Sequence, residues 1–312
     1  MDELRTILYE KTGRVARITL NRPARGNSIT FAMPAELAAC VETANLDPEV
    51  HVILLAGNGA GFCGGYDLVE FAEQRLESES STQPQAAQTE RVPAGSPLDP
   101  RVQLANHDPA QPWDAMTDHA LMSRNVRCFM SLFYGDKPVV CKVQGFCVGG
   151  GTDIALCADL LVIEDEAKFG YPPARVWGSP TTALWAYRIG LEKAKRLLFT
   201  GDCLSGREAV EWGLATEAPA RAQLDERCEI LVERIARLPV NQLMMMKLLL
   251  NQTVLAQGLA AAQTLGTLFD AVARHTREGY AFQQRAAEVG FKQAVRERDE
   301  PFGDAGRSTF KP

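Results

Sequence analysis

The sequence predicts an α/β fold that continues into an all-helical C-terminal region. Residues 15–20, 52–56 and 139–143 are short apolar runs rich in β-branched residues, a composition typical of buried strands. The second and third runs lead through glycine-containing turns into segments with helical periodicity, so strands and helices alternate. The last third of the chain shows only helical periodicity. We therefore predict a core over residues 1–219 and a helical region over residues 220–312.

The composition is that of a globular protein with an acidic balance. Of the 312 residues, 46% are hydrophobic and 23% are charged, and the formal net charge is −6 with an isoelectric point near 5.4. A nucleic-acid partner would need a basic face, so this charge argues against one. No apolar run approaches the ~20 residues that span a bilayer, so we expect no membrane partner. The N-terminus lacks a basic-then-apolar signal pattern, and we expect a cytoplasmic protein.

The cysteines and histidines indicate neither a metal site nor a disulfide framework. Eight cysteines lie mostly inside apolar runs without a CxxC pair, so we expect reduced, buried thiols. Cys63 and Cys147 flank glycine turns, but nucleophilic cysteine chemistry would need a neighbouring base. The four histidines fall outside every motif, and neither a dinucleotide-binding fingerprint nor a P-loop is present. We therefore expect no metal and no permanently bound cofactor.

The remaining segments are assigned from their hydrophobic pattern. A hairpin around Thr12-Gly13 is expected to join residues 6–10 to residues 15–20. Residues 77–114 are rich in Ser, Gln, Pro and Ala without periodicity, so we interpret them as a long loop inserted near residues 75–115. A lid over a neighbouring site and a surface excursion both fit such a loop. The other predicted elements are helices 31–44, 67–76, 116–133, 152–157, 180–189, 191–198, 206–211, 224–236, 241–259, 260–276 and 279–298, and strands 160–163, 168–169 and 214–216.

Two strand–glycine–helix junctions carry the chemistry. In the second, Gly149, Gly150 and Gly151 follow the third apolar run and open a helix; in the first, AGFCGGYDL (60–68) follows the second run. Glycine lets the backbone approach a ligand without an intervening Cβ, and the first amides of a helix have no partner inside it. Together with the helix dipole they favour an anion, either a phosphate or the oxyanion that develops on a carbonyl. Two such junctions provide the two donors of an oxyanion hole.

At these residues the sequence resembles the crotonase superfamily, the enoyl-CoA hydratase/isomerase fold group. The resemblance also rests on ARITLNRPARGNSIT (16–30), AKFGYPPARVWGSP (167–180) and RLLFTGDCLSGREAVEWGLATE (196–217), and it covers nearly the whole chain except the insertion. It implies a crotonase-like spiral of β-β-α turns and a lyase or isomerase of fatty acid metabolism. The substrate would be an enoyl-CoA or another acyl-CoA, with coenzyme A present only as part of the thioester.

The resemblance also implies which residues form the site. The amides of Tyr66 and Gly150 are expected to polarise the thioester carbonyl, and the turn that follows residue 21 is expected to lie against the CoA arm. Arg22 and Arg25 are candidates for phosphate contacts, because a guanidinium suits phosphate oxygens; for Arg25 a solvated surface role fits as well. The residues implied to bind substrate and CoA are Arg22, Arg25, Ala60, Gly64, Tyr66, Asp67, Leu68, Gly149, Gly150, Tyr171, Pro172 and Pro173.

The proton-transfer groups depart from the pattern that the resemblance implies. The family's hydratases carry two glutamates, and the matching positions here hold Asp153 and Pro173. Hydration needs one carboxyl to activate water and one to protonate the neighbouring carbon, so a standard hydratase mechanism is in question. Asp153 is a candidate catalytic acid or base, although a carboxylate in the first turn of a helix is favoured by the dipole alone. Tyr171 is an alternative proton donor, and we interpret Asp118 as a solvated residue on a helix face.

Three functions remain open at the level of the sequence. The first is an acyl-CoA enzyme of hydratase/isomerase type. The second is a crotonase-fold enzyme of another reaction, such as thioester hydrolysis, C–C cleavage or decarboxylation, because all of these pass through an oxyanion. The third is a non-catalytic acyl-CoA-binding protein, for which Pro173 is the main support. The presence of both glycine junctions favours an enzyme.

The helical region predicts an oligomer. Residues 243–250 and 254–268 carry more apolar positions than one face of a helix turns inward. Such an area exceeds what a monomeric surface usually tolerates, so we predict an obligate homo-oligomer. The family resemblance implies a homotrimer or a dimer of trimers (a hexamer). In that assembly we expect Phe282, Lys292 and Arg296 near the CoA of an adjacent subunit.

Overall fold

A computed structural model of the chain describes residues 4–67 and 93–303. The strands of its main sheet are β1 (Ile7–Thr12), β2 (Val15–Leu20), β3 (Val52–Gly57), β4 (Val139–Val143) and β6 (Leu160–Ile163), in the order β1-β2-β3-β4-β6. The first two form the predicted antiparallel hairpin, and every later pair in the sheet is parallel. A smaller sheet holds β5 (Phe146–Val148), β7 (Lys168–Gly170) and β8 (Cys203–Leu204) in the order β5-β7-β8. The predicted α/β class is confirmed.

Most of the described residues outside the two sheets lie in helices. They are α1 (Met33–Leu46), α2 (Pro100–Asn106), α3 (Ala115–Phe129), α4 (Ser131–Tyr134), α5 (Gly150–Ala155), α6 (Trp185–Ile189), α7 (Leu191–Thr200), α8 (Gly206–Glu211), α9 (Leu224–Ala236), α10 (Val240–Leu255), α11 (Leu259–Arg274), α12 (Arg277–Val289) and α13 (Phe291–Asp299). Within residues 4–67 and 93–303, none of them combines the length and the apolarity that a bilayer crossing requires. All eight cysteines are free thiols, and seven of them are buried, as predicted.

Helices cover both faces of the main sheet. On one face, Leu37 of α1 lies in the same apolar cluster as Ile18 of β2. On the other face, Cys228 and Val232 of α9 pack with Val140 of β4. Because both faces are covered, all six residues of β3 are buried. The helical C-terminal region therefore begins as part of the core of the sheet.

Two predicted helices have different extents because a residue with positive φ interrupts each of them. The predicted helix 279–298 is two helices, α12 and α13, separated by Gly290 at φ +82°. The predicted separation of helices 241–259 and 260–276 is confirmed, with Gly258 at φ +86° between α10 and α11. Only the last part of the predicted helix 180–189 is helical, as α6, and Ala183 at φ +54° precedes it. Helical periodicity alone does not reveal such single-residue breaks.

The assignments of short strands were less accurate. The predicted strand 214–216 is not a strand, and beside it Glu217 makes only an isolated bridge with Val162. Strands β5 and β8 were not predicted, since segments of three and two residues are too short to show alternation.

The prediction of a long loop near residues 75–115 is wrong for α2. This helix begins after Asp99, whose side chain accepts a hydrogen bond from the amide of Arg101 at 3.0 Å, and Pro100 occupies its first position. An aspartate cap followed by proline is a recognised helix start. The seven-residue helix is too short for its periodicity to stand out. Leu68 and most of the predicted helix 67–76 lie outside the described residues.

Candidate active site

Backbone pairing to β5 positions the first glycine segment. The amide of Val148 donates to the carbonyl of Cys63 at 3.0 Å, so residues 60–67 run beside β5 in front of α5. From the other side, the buried side chain of Asn27 donates to the carbonyls of Asn58 (2.8 Å) and Gly61 (3.0 Å). These bonds fix the segment between the turn around residues 22–27 and the N-terminus of α5.

The two glycine junctions meet at Tyr66 and Gly150. The amide of Ile29 donates to the carbonyl of Gly65 at 2.8 Å, and the carbonyl of Ile29 accepts from the amide of Asp67 at 2.9 Å. These two hydrogen bonds form a parallel bridge between Ile29 and Tyr66. In such a bridge the amide of the middle residue points to the opposite side, so the Tyr66 amide faces away from Ile29. A Cβ on Gly65 would lie 3.3 Å from the Gly150 nitrogen, so the two backbones are almost in contact. Gly150 begins α5, whose first amides have no partner inside the helix.

A cavity of about 910 Å³ opens at this point. The predicted site residues that border it are Gly64, Tyr66, Gly149, Gly150, Tyr171, Pro172 and Pro173. The predicted site residues Arg22, Arg25, Ala60, Asp67 and Asp153 do not border it, and Leu68 lies outside the described residues. Other residues of its wall include Leu104, His107, Met122, Lys168, Trp177, Asp270, Arg274, Phe282, Lys292 and Arg296. The cavity thus joins the glycine junctions to the helical region and to α2 of the insertion.

Arg22 and Arg25 are both paired with one carboxylate. Nη1 of Arg22 lies 2.9 Å from Oδ2 of Asp67, and Nη2 of Arg25 lies 3.2 Å from Oδ1. The Asp67 side chain is only 3% exposed, and its Oδ2 also accepts from the Ser28 hydroxyl at 3.0 Å. In this arrangement both guanidinium groups hold the turn that follows β2 against the first glycine segment.

Asp153 is buried behind the junction. Its Oδ1 accepts hydrogen bonds from the amide (3.0 Å) and hydroxyl (2.7 Å) of Thr182, while Oδ2 has no hydrogen-bond partner among the described residues. Burial raises the pKa of Asp153 to about 6, and the hydrogen bonds from Thr182 oppose this shift. The carboxyl therefore changes its protonation state near neutral pH and keeps one unpaired oxygen, which suits proton transfer.

The charge of Asp153 affects two phenols that border the cavity, those of Tyr66 and Tyr171. Burial, and then the negative charge of Asp153, raises the pKa of both Tyr66 and Tyr171 well above the ordinary value of 10.0. Tyr171 is only 4% exposed and borders the cavity. Because a phenol with a raised pKa stays protonated, Tyr171 can donate a hydrogen bond but cannot act as a base.

The helical region closes the cavity of its own chain. Phe282 of α12 and Lys292 and Arg296 of α13 all border the cavity that contains the Gly150 junction. The prediction placed these residues near the CoA of an adjacent subunit, and the structure places them at the site of the same subunit. The reason is Gly290, which turns α13 back so that both helices face the glycine junctions.

Asp118 is fully buried, so the prediction that it is a solvated helix-face residue is wrong. Its Oδ2 accepts from Asn106 Nδ2 at 3.0 Å and from Trp113 Nε1 at 2.8 Å. Its Oδ1 lies 3.3 Å from Nη2 of Arg274. Asp118 therefore ties α2 of the insertion to α3 and α11, a set of contacts that the sequence pattern of α3 alone does not reveal.

His107, Asp118 and His275 bring potential ligand atoms within 4.8 Å of one another. Both ring nitrogens of His275 face backbone carbonyl oxygens, at 2.9 Å for Ala271 and 3.1 Å for Asn106. Each ring nitrogen of His275 thus already lies within hydrogen-bond distance of a backbone acceptor, so the ring is held by the backbone rather than directed at a common cation. The geometry favours a hydrogen-bonded anchor over a metal site.

Three acidic residues that border the cavity were not predicted from the sequence: Asp270, Asp299 and Glu300. Asp270 borders the cavity from α11 and is only 8% exposed. It is the only acidic residue in a helix made mostly of Ala, Leu and other apolar residues, with Arg274 one turn later. A lone acid on an apolar helix is unusual enough to mark a buried site, and that signal was available in the sequence.

Comparisons with known proteins identify relatives over nearly the whole chain. The sequence profile described as enoyl-CoA hydratase/isomerase matches residues 10–92 and 114–290. A crystal structure of an enoyl-CoA hydratase from Mycobacterium smegmatis is 53% identical with a TM-score of 0.89, over 99% of this chain and 98% of that one. A Mycobacterium tuberculosis protein named as an enoyl-CoA hydratase is 30% identical over 270 residues, which are 83% of this chain and 78% of the relative. The 1,2-epoxyphenylacetyl-CoA isomerase of Escherichia coli is 28% identical over 261 residues, 82% of this chain and 83% of the relative.

Proposed function

This chain belongs to the enoyl-CoA hydratase/isomerase family, and we propose that it holds the thioester carbonyl of an enoyl-CoA between the amides of Tyr66 and Gly150. It is an acyl-CoA-processing enzyme of hydratase/isomerase type with the crotonase-like fold that the sequence predicts. The observation that carries the proposal is the close approach of the two glycine junctions at the wall of the cavity. Two fixed donors at one oxygen stabilise the negative charge that develops there, and one such donor is worth ~10²–10³ in rate.

The polarised carbonyl determines what the site does to the acyl group. Hydrogen bonds from both amides draw electrons from the conjugated double bond, so Cβ accepts a nucleophile and Cα accepts a proton as the enolate collapses. Asp153 is the proposed proton-transfer group, supported by its unpaired Oδ2 and by its pKa near 6. Tyr171 is the proposed hydrogen-bond donor beside it.

We propose that the cations of α13 hold the CoA phosphates. Lys292 and Arg296 are exposed side chains that border the cavity, and Lys168 borders it from β7. A guanidinium and an ammonium at one edge of the cavity suit a diphosphate and a ribose phosphate. Coenzyme A would thus enter and leave as part of the substrate.

Incubation with crotonyl-CoA and longer 2-enoyl-CoAs tests the function. We expect the absorbance of the conjugated thioester to fall while free thiol stays constant, as hydration requires. A 3-enoyl-CoA should gain that absorbance if the enzyme shifts the double bond. Thiol release in step with the loss of absorbance would identify thioester hydrolysis instead. Binding without any chemical change would identify a non-catalytic acyl-CoA-binding protein.

The proposal extends to the assembly and setting of the enzyme. A homotrimer or a dimer of trimers is supported by exposed apolar side chains on α10 and α11, among them Leu249 (62% exposed) and Phe269 (56%). A cytoplasmic location and a role in fatty acid metabolism stay predictions from the sequence.

A further inference from the structure

Three groups from two segments of the chain surround one point of the cavity wall. A Cβ built on Gly178 would lie 3.2 Å from Cβ of Pro173, 3.5 Å from the hydroxyl of Tyr171 and 3.7 Å from Oδ1 of Asp270. Pro173 in turn adjoins the glycine junction, since a Cβ on Gly149 would lie 3.2 Å from its Cγ. The Asp270 carboxylate therefore lies close to the amides that receive the thioester oxygen.

We propose that Asp270 is a catalytic carboxylate of this site, which exchanges a proton with the acyl group or with the water that attacks it. This inference rests on the proposed function. It assigns an acid–base role to a residue of the helical region, 117 positions after the Asp153 junction residue in the chain. Asp270 borders the cavity, whereas Asp153 does not, so Asp270 is the carboxylate that a bound thioester can reach directly.

The contacts of Asp270 leave some of its hydrogen-bond acceptor positions unoccupied. Its Oδ1 accepts from the amide of Ser179 at 3.3 Å, and its Oδ2 lies 3.4 Å from Nη2 of Arg274. A carboxylate offers about four lone-pair positions, and both of these contacts are at the long end of hydrogen-bond distances. A purely structural ion pair would be expected to be shorter, and Arg274 is already shared with Asp118 at 3.3 Å. Asp270 thus keeps acceptor capacity for a substrate or a water molecule.

The charges around Asp270 suit proton transfer. It faces Arg274 on its own helix, Asp118 on α3, and Asp153, Tyr66 and Tyr171 across the cavity wall. Burial raises the pKa of Asp270, the Arg274 charge lowers it, and the Asp118 charge raises it. The charge of Asp270 also adds to the raised pKa of Asp153, for which burial is the larger cause.

Asp270 alone can supply both proton transfers of a hydration. The ionised carboxylate takes a proton from water as the water oxygen forms a bond to Cβ. The double-bond electrons move to the thioester, and the amides of Tyr66 and Gly150 hold the resulting oxyanion. The carboxyl of Asp270, now protonated, then gives that proton to Cα as the enolate collapses. One proton is taken and one is delivered, nothing is oxidised or reduced, and Asp270 ends ionised as it began.

Asp270→Asn tests the assignment, because asparagine keeps the acceptor for Ser179 and removes the proton-transfer group. We expect kcat for hydration of crotonyl-CoA to fall ~10²–10⁴-fold with a much smaller change in KM, and one limb of the pH profile of kcat to disappear. Asp136→Asn is the matched control, since Asp136 is exposed and does not border the cavity, and it should leave kcat and its pH profile unchanged. Circular dichroism and thermal unfolding establish that each variant is folded.

Full kcat and an unchanged pH profile in folded Asp270→Asn would overturn the assignment. If that variant does not fold, Asp270→Glu keeps the charge and moves the carboxylate by one methylene. A tenfold or larger loss of kcat at unchanged KM is then expected, and undiminished kcat would overturn the assignment. If the wild-type enzyme turns over no enoyl-CoA, the proposed function fails and this inference fails with it, whereas turnover that survives Asp270→Asn contradicts this inference alone.

Discussion

Asp153 is the residue whose surroundings most restrict the chemistry. Its side chain is 1% exposed, and both hydrogen bonds that it accepts come from Thr182 and reach the same oxygen. The other oxygen is buried and unpaired among the described residues. Such an arrangement is costly for a carboxylate, since burial disfavours the charged form. A residue kept at that cost is more consistent with proton transfer than with a helix cap.

The pKa of Asp153 predicts a pH dependence of stability. Below the ordinary pKa of 3.8 the carboxyl is protonated in both the folded and the unfolded state. The unfolded chain loses this proton as the pH passes 3.8, whereas the folded protein keeps it until about pH 6. The folded state therefore loses stability as the pH rises from the first value through the second. We expect this group to lower the free energy of unfolding by roughly 1–2 kcal/mol between pH 5 and pH 8. Asp153→Asn should lack that loss in urea unfolding at the two pH values, and Asp136→Asn, an exposed control, should retain it. Identical pH dependence in Asp153→Asn and wild type would show that Asp153 stays charged in the fold.

Residues of the site differ in how well the sequence reveals them. Tyr66 and Gly150 both border the cavity, and the sequence singles them out because each follows a strand and a glycine turn; their role as oxyanion donors stays a prediction. Asp270 is marked in the sequence only as a lone acid on an apolar helix, and its place at the cavity depends on how α11 packs against a loop some 90 residues earlier in the chain, which the local pattern does not show. The prediction for Asp118 was wrong for the same reason, since its partners come from α2 and α11.

Because the cations of helix α13 are proposed to bind the CoA phosphates, we expect their removal to weaken CoA binding selectively. The phosphates are remote from the reacting carbons, so their contacts are equally strong before and during the reaction. We expect the double variant Lys292→Ala/Arg296→Ala to raise KM for an enoyl-CoA by at least roughly tenfold, since hydrogen bonds to charged groups are worth about 1.5–3 kcal/mol each, with little change in kcat. Lys195→Ala, an exposed lysine away from the cavity, is the control. Unchanged KM in the double variant would place the phosphates elsewhere.

Asp118 anchors α2, so we expect a substitution at Asp118 to lower the stability of the fold strongly. Asp118→Asn removes the charge that compensates Arg274 and replaces an acceptor of two hydrogen bonds. Loss of one partner of a buried ion pair costs about 3–5 kcal/mol. We expect the free energy of unfolding, measured in urea, to fall by about 3 kcal/mol, whereas the exposed control Asp136→Asn should change it by less than about 0.5 kcal/mol. Equal effects of the two substitutions would show that the anchor contributes no stability.

The accuracy of the predicted elements follows their length and burial. Strands β2, β4 and β6 and helices α8 and α9 have the predicted bounds, because apolar periodicity fixes them. Helix α2 depends on a cap and the break at Gly290 on one residue with positive φ, and periodicity reveals neither. These are also the features that bring α2 and α13 to the cavity.

The exposed apolar side chains of α10 and α11 predict that the whole molecule assembles into an oligomer. Met245 (52% exposed), Leu249 (62%) and Leu250 (64%) lie on α10, and Leu265 (51%) lies on α11. Light scattering at micromolar concentration should give three or six times the chain mass of 34.1 kDa. Leu249→Glu should lower that mass, whereas Leu46→Glu, at an apolar residue on α1 that is 73% exposed, should not. A stable monomer of 34.1 kDa would contradict the assembly.

The central claim is that the amides of Tyr66 and Gly150 hold the thioester oxyanion, and Gly150→Pro tests it most directly. Proline fits the first position of a helix and removes the amide proton, but it also adds a Cβ and a ring. A Cβ at this position meets the Tyr66 ring at 2.8 Å, so Gly150→Ala, which adds the Cβ and keeps the amide, is the matched control. With both variants folded by circular dichroism, we predict that kcat on crotonyl-CoA is ~10²–10³-fold lower for Gly150→Pro than for Gly150→Ala. Equal rates in the two variants would contradict the claim.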